Sequence, residues 1–355
     1  MYKYFARKSM NRIFFYLTLA VSLLALSSCH RDRYITIQGY AQGGLYSVTM
    51  NLKGVKAPQQ EIADSINSIL EHIDTTLSGY NRNSQLSRFN ACSEIVPNDL
   101  FIDTYEIGRR IYEETDGVVD VASAGLYDLW GFGFKTGEMP ADEEVKFIKE
   151  NSGFGRCVGT LKGHNGPLSS KDILIEHDDA YPQLNYNAIA QGYSCDLVAK
   201  YLYSIGVKDM LVNIGEIFCD GKNPSGKAWT VGIDKPVDGN DALGAQLQGV
   251  FKVPVGPHGV VTSGNYRKFY IRDGKKYAHT IDPRTGYPVS HSLLSATVIA
   301  PDAMLADAYA TYCMVVGLEA SKQFFAGRSD MEACLVYDEG GQFKTWCTPG
   351  FHLED

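Results

Sequence analysis

His279 stands in Tyr277-Ala278-His279-Thr280-Ile281-Asp282-Pro283-Arg284-Thr285-Gly286, where an imidazole meets a carboxylate, a guanidinium and a hydroxyl within a few residues. An imidazole titrates near neutrality, so it can take a proton from an alcohol at ordinary pH. Further on, Asp307 and Thr311 are four apart in a run with helical periodicity, Leu305 to Phe325. That spacing stacks a carboxylate and a hydroxyl on one face, one turn apart. Two such oxygen donors suit a hard cation such as Mg²⁺, which keeps its other positions for water, carbonyls or phosphates. Each has a structural alternative: a satisfied strand histidine, or a buried acid bonding its own helix beside a mid-helix threonine. Asn185 to Tyr193 lies at a loop-to-helix junction, where backbone groups can meet a phosphate or a metal and Gly192 permits close approach. Gly221 to Lys227 matches the outline of a phosphate-binding loop, but Ala228 follows where a hydroxyl is needed, and a strand comes next. It reads as a surface turn.

These residues need elements to hold them. Val261 to Arg267 reads as a loop entering a strand. Tyr266 to Ile271 and Tyr277 to Ile281 then form a hairpin about Asp273-Gly274, with His279 near the end of the return arm. Upstream, Tyr34 to Leu52 predicts two strands around Gln42-Gly43-Gly44. Gln59 to Leu77 predicts an amphipathic helix with Ile62, Ile66, Ile69, Leu70 and Ile73 on one side. A second helix runs from Pro97-Asn98 to about Thr115, a short acidic one from Pro140 to Asn151, and another from Ile189 to Ile205 with Tyr193, Leu197, Val198, Tyr201 and Leu202 inward. Met210–Phe218, Trp229–Ile233, Gln246–Val253, Leu293–Ala300 and Ala333–Tyr337 are strand candidates, and 152–182 reads as irregular. Runs of strands separated by single helices, without strict alternation, predict an α+β fold: a single compact domain with a mainly antiparallel sheet and flanking helices.

Three segments in order, T-S-G-x-Y-R at 262–267, Y-x-H-x-x-D-P-x-T-G at 277–286 and A-D-A-x-x-T at 306–311, resemble the ApbE family of flavin transferases. Three more segments agree: Tyr80 ahead of Ser84-x-Leu86-Ser87, Asp128 to Gly133 around Trp130, and Ala188-Ile189-Ala190-Gln191-Gly192. The resemblance spans roughly residues 36–350. It implies transfer of FMN from FAD to a Thr or Ser hydroxyl of an acceptor flavoprotein, with AMP released and Mg²⁺ required. Mg²⁺ would be held by Asp307, Thr311 and the Ala188 carbonyl, and His279 would be the base. Flavin contacts would come from Gln42, Tyr80, Ala122, Ser123, Ala124, Asn185, Gln191, Ser263 and Ile281. The chain departs from the family pattern at Asn185 (usually Asp), at Gln191 (usually Lys) and at Asn213-Ile214-Gly215-Glu216, one glycine short. Two other activities stay open: an FAD pyrophosphatase releasing FMN and AMP, and an FAD-binding lipoprotein without turnover.

Residues 1–28 read as a signal peptide, with Lys3, Arg7, Lys8 and Arg12 ahead of an apolar run from Ile13 to Leu26 that is short for a membrane span. Leu26-Ser27-Ser28-Cys29 resembles a bacterial lipobox, which predicts an exported lipoprotein anchored by lipidated Cys29, facing the periplasm, with 29–35 as tether and 36–355 as the working domain. Removing those four positive charges takes the formal net charge from −8 to −12. An acidic chain without basic clusters argues against nucleic acid as a partner. The chain has 8 cysteines, none in a C-x-x-C pair, and those beyond Cys29 are odd in number. Neither a zinc site nor a full disulfide framework is indicated, and most read as buried small apolar residues. Apart from His279, the histidines, His291 among them, read as surface or tether residues.

Overall fold

The computed structural model describes residues 32–91, 93–133, 139–156, 161, 165–169, 183–237, 240, 244, 246–266, 269–272 and 275–354. The targeting segment, Cys29, Cys92, Cys157, the Asp273-Gly274 turn and most of the 152–182 stretch lie outside the described residues.

The first two strands, β1 (Tyr34–Ala41) and β2 (Gly44–Asn51), pair antiparallel about Gln42-Gly43, both at positive φ (51° and 80°). That is the twist a two-residue hairpin turn demands. β1 starts inside the stretch read as tether. The first four helices are α1 (Gln59–Leu77), α2 (Gln85–Asn90), α3 (Asp99–Glu114) and α4 (Ala124–Leu129). Ser84 and Asn98 cap α2 and α3 by accepting from the Ser87 and Phe101 amides at 2.9 Å each. Next come α5 (Asp142–Glu150) and α6 (Ala190–Ser204). α6 turns Cys195, Val198, Ala199 and Leu202 fully inward and leaves Tyr193, Leu197 and Tyr201 half-buried at the rim, a rotation from the predicted face.

Met210–Phe218 is not one strand. It folds into β3 (Met210–Asn213) and β4 (Ile217–Asp220), paired antiparallel about Gly215 at φ 92°. Then follow β5 (Thr230–Asp234), β6 (Leu247–Lys252) and β7 (His258–Gly264). Val261 to Gly264, read as loop, is the end of β7. The hairpin that carries His279 is β8 (Phe269–Arg272) and β9 (Lys275–Ala278), followed by the two-residue strands β10 (Ile281–Asp282) and β11 (Tyr287–Pro288). β12 (Leu293–Ala300) leads to α7 (Ala303–Val316) and α8 (Leu318–Ala326). These two are separate helices, because Gly317 at φ 80°, ψ −175° breaks the predicted Leu305–Phe325 run. β13 (Glu332–Glu339), β14 (Gln342–Cys347) and β15 (Leu353–Glu354) complete the order.

Eight strands form one antiparallel sheet in the order β1-β2-β3-β4-β7-β12-β13-β14. Period-two alternation divides its residues between two layers. Val261, Ala296, Val298, Ala333 and Leu335 face α7 and α8, whereas Val260, Ile299 and Cys334 face a smaller sheet, β15-β6-β5. At the β1–β4 end, Val48, Met50 and Val212 pack with Ile62, Ile66, Leu70 and Ile73 of α1 and with α6. The architecture is the predicted single α+β domain. Among the described residues no helix is long and apolar enough to cross a membrane.

Candidate functional site

A polar-edged cleft of about 230 Å³ opens between the loop after α1, helices α2 and α4, and the strand-like segment 183–187. Tyr80, Ser87 and Asn90 line one side, Ala124, Asp128 and Phe132 another, and Asn185, Tyr186 and Asn187 a third. Tyr80 is 70% exposed, an unusual setting for a large ring unless something covers it. The segment 183–187 is held by side chains acting as strand partners. Asn90 donates to the Leu184 carbonyl and accepts from its amide, both at 2.8 Å, and the Asn185 amide donates to the Val121 carbonyl at 2.7 Å.

Asp120 organises the opposite wall. Its carboxylate accepts from the amides of Ala122 (2.8 Å) and Phe154 (3.2 Å), and its carbonyl accepts from Ser123 Oγ at 2.6 Å. Burial pushes its pKa up to about 6, partly offset by those two amides. The Ala124 amide then donates to the Gln183 carbonyl at 3.1 Å, so the two walls are tied together. Ala122 and Ser123 are themselves fully buried and support the cleft from behind, while Ala124 reaches its surface. The sequence reading missed Asp120, although an acid two residues before a turn amide is a recurring local bond.

His279 follows β9 directly. Its ring meets the edge of Phe132 with centroids 6.4 Å apart. Phe132 stacks on Tyr270 (5.1 Å), Tyr270 on Tyr277 (5.3 Å), and Tyr277 on Trp130 (6.0 Å). This aromatic ladder, with Trp130 Nε1 donating to the Gly286 carbonyl at 2.8 Å, brings the hairpin against the cleft wall that Phe132 lines. Arg284 grips Asp282 through Nε (3.0 Å) and an Nη nitrogen (2.9 Å), closing the polar turn beside it. Ile281 is fully buried in an apolar cluster with Leu126, Trp130 and Val145, so only its backbone can face a ligand.

The segment 183–187 runs on into Ala188 and the first turn of α6, where α7 crosses. Two glycines set that crossing. A Cβ on Gly192 would lie 2.2 Å from the Ala303 carbonyl oxygen, and one on Gly259 of β7 would lie 2.3 Å from the Ala303 Cα. Asp196 of α6 caps α7 from outside, accepting from the amides of Ala303 (2.8 Å) and Met304 (2.9 Å). Asp302 adds the Leu305 amide at 2.8 Å. In return Asp307 of α7 accepts from the Gly192 amide at 3.1 Å. As the third residue of α6, Gly192 carries one of the amides that a helix start leaves without an intrahelical partner. Among the described residues the Ala188 carbonyl takes no backbone hydrogen bond. Burial first, and then the Asp196 charge, push the Asp307 pKa well above the usual carboxylate range. An acid buried to 4% exposure with one amide partner is short of positive charge. Thr311, half-buried, lies one turn further along α7. A carboxylate, a carbonyl and a hydroxyl make an oxygen set that fits a hard cation.

β10, two residues past His279, packs against α7, and Tyr312 of α7 lies close enough to Arg284 to feel the guanidinium's charge. The histidine arm and the Asp307 corner thus meet around one region. Gln42 and Gln191 sit on the far side of the α6 N-terminus. Gln42 Nε2 donates to Ser194 Oγ at 2.5 Å, and Gln191 lies against Gly215 in the β3–β4 turn. Ser263 shares with Val261 the face of β7 toward α7 and is not a cleft residue. His291, read as a surface residue, is instead half-buried, with Nε2 2.9 Å from the Met314 carbonyl. Gly221 to Lys227 is a turn between β4 and β5, closed by the Asn223 amide donating to the Lys227 carbonyl at 2.8 Å.

Known proteins share both sequence and shape with this one. The model of the ApbE family matches residues 42–335. An FAD:protein FMN transferase of Escherichia coli (strain K12) is 32% identical over 329 residues, covering 91% of this chain and 89% of the relative. One from Klebsiella pneumoniae (strain 342) is 30% identical over 357 residues, 96% of this chain and 97% of its own. Among solved structures, the apo form of Pseudomonas stutzeri flavinyl transferase ApbE superimposes with TM-score 0.75 at 30% identity, covering 90% of this chain and 95% of that one. The flavin transferase ApbE from Vibrio cholerae gives 0.74 at 26% identity, covering 90% and 98%. Shared sequence over nine-tenths of the length, and a shared arrangement of sheet and crossing helices, make this chain a member of the ApbE family.

Proposed function

We propose that this protein transfers FMN from FAD to a Thr or Ser hydroxyl of an acceptor flavoprotein, releasing AMP, with Mg²⁺ bound at Asp307, Thr311 and the Ala188 carbonyl. The observation that carries the reading is the continuity of the cleft. One wall, through Phe132, touches His279, and another, 183–187, runs into the Ala188–Gly192 turn that Asp307 caps. The relatives' shared name, FAD:protein FMN transferase, agrees with it.

The exposed ring of Tyr80 and the face of Phe132 offer stacking surfaces for a planar ring system. Asn185 and Asn187 offer polar partners at the rim, and the α6 N-terminus favours a negatively charged group nearby. His279 accepts the proton of the acceptor hydroxyl as its oxygen attacks the FMN-side phosphorus. The bond from that phosphorus to the bridging oxygen breaks, AMP leaves, and FMN stays on the acceptor as a phosphoester. When bound, Mg²⁺ would neutralise the diphosphate charge. The polar turn Asp282–Arg284 braces the histidine arm without reaching into the cleft.

Purified protein incubated with FAD, Mg²⁺ and an acceptor flavoprotein should raise the acceptor's mass by one FMN, read by mass spectrometry, with AMP in equal amount. Rapid FMN release with no acceptor present would replace this reading by the pyrophosphatase. An unlabelled acceptor beside tightly retained FAD would point to a binding protein. We also infer from the targeting segment that the chain is an exported lipoprotein held at the membrane through Cys29 and facing the periplasm, where an acceptor loop outside the cytoplasm would be in reach.

A further inference from the structure

Cys334 of β13 and Cys347 of β14 lie directly opposite each other in the sheet register. Their pair type follows from the hairpin they belong to. The turn Gly340-Gly341 has both φ values positive (64° and 84°), and Glu339 faces Gln342 across it. Such a two-residue loop is closed by a hydrogen-bonded pair, and hydrogen-bonded and non-hydrogen-bonded pairs then alternate outward. Counting from Glu339, Cys334 and Cys347 fall on a non-hydrogen-bonded pair. An independent bond agrees: the Thr348 amide donates to the Ala333 carbonyl at 2.9 Å, which makes the next pair outward the hydrogen-bonded kind. Opposite residues in a non-hydrogen-bonded pair stand with Cα atoms about 4.5 Å apart and side chains turned to the same face. That separation lies within the range a disulfide spans, about 4.4–6.8 Å.

We propose that Cys334 and Cys347 are a redox pair that closes into a cross-strand disulfide by exchange with a small-molecule or protein disulfide. Cys334 is fully buried against the small-sheet layer and Cys347 is half-buried, so an exchanging reagent meets Cys347 first. The two thiols are in hydrogen-bond contact. That contact, opposed by burial, holds Cys347 below its ordinary pKa, and together with burial it raises Cys334. Cys347 is therefore the attacking thiolate. Its sulfur displaces one thiolate of the oxidant and forms a mixed disulfide. Cys334 then loses its proton to solvent, and its sulfur displaces the second oxidant thiolate. Two cysteine thiols are oxidised by two electrons, and the reagent's disulfide is reduced to two thiols. Cys195 and Cys313 are buried in other clusters, and Cys219, in the same apolar layer, lies on β4, three strands from β13.

The bond would fasten an edge. β14 is the last strand of the large sheet, and just past Cys347 the chain crosses through Thr348 and Phe351 to β15, which pairs with β6 in the small sheet. A link at that point ties the edge strand to β13 just before the chain leaves the large sheet, and no cleft residue takes part. The inference stands whether or not the flavin chemistry does.

The test uses the full chain, purified, and treated with oxidised glutathione or with dithiothreitol. After alkylation and non-reducing digestion, the oxidised sample should yield one cross-linked species joining the peptides of Cys334 and Cys347, lost on reduction. Its Tm should exceed that of the reduced protein by a few degrees, and FMN transfer should be unchanged. Cys347→Ser should fold like the reduced wild type and show neither the cross-link nor the shift. Stable glutathione adducts on Cys347 with no cross-link in the wild type would overturn the proposal. So would an equal Tm shift in Cys347→Ser.

Discussion

At the scale of single residues, two acids and a histidine have different tasks, and substitution separates them. His279→Ala removes a ring that meets Phe132 at the cleft wall. FAD binding should survive while transfer falls by about 10²–10⁴-fold, the usual worth of a positioned proton acceptor. Titrating FAD by fluorescence beside a turnover assay checks both halves. Asp307→Asn keeps an acceptor for the Gly192 amide but removes the charge. It should leave the fold intact and abolish the response of activity to added Mg²⁺. Loss of folding in both variants would mean that these are structural residues. Asp120 is predicted through pH. Its folded pKa is raised from 3.8 to about 6, so the native state holds a proton that the unfolded chain releases earlier. Its contribution to stability is therefore complete below about pH 4 and declines as pH rises to about 6, by on the order of 3 kcal/mol. Asp120→Asn cannot titrate, and the difference in urea midpoint, wild type minus variant, should fall across that window.

At the scale of elements, the decisive contact is the crossing of α6 and α7. Gly192 lets the first turn of α6 sit on the backbone of Ala303, Gly259 does the same from β7, and Asp196 fills the α7 N-terminus. Gly192→Ala places a methyl 2.2 Å from a carbonyl oxygen that has nowhere to move. It should lower stability by about 1–3 kcal/mol, seen in urea unfolding. Because Asp307 bonds to that same residue, Mg²⁺ dependence should shift to higher concentration in the variant, which a metal titration of activity would read. Helix boundaries of this kind were legible in advance where a cap or periodic apolar face exists. Gln59–Leu77 matches residue for residue, and Asn98 ends the approach to α3. They were not legible where a turn interrupts a continuous apolar run. Met210–Phe218 is apolar enough for one strand, yet Gly215 reverses it. Gly317 splits a run that reads as one helix.

At the scale of the whole molecule, the two faces of the large sheet have separate work. One packs the helices that carry Asp307 and the α6 N-terminus, and the other is covered by the small sheet and by the crossing of the chain after Cys347. The proposed anchor is tested here. Cys29→Ala should move the protein from the membrane fraction to the soluble one, read by immunoblot, without altering FMN transfer by the purified chain. Continued membrane association would remove lipidation from the account. By itself, the sequence determined the α+β class, the order of the motifs and the candidate residues for chemistry, because periodicity, caps and turn residues act over a few positions. Tertiary structure decided that Phe132 brings His279 to the cleft, that the unpaired Gly192 amide at the start of α6 finds Asp307, and that Cys334 faces Cys347. The first two of those contacts join segments more than a hundred residues apart, and their meeting depends on how the sheet and helices close-pack, which no local pattern encodes.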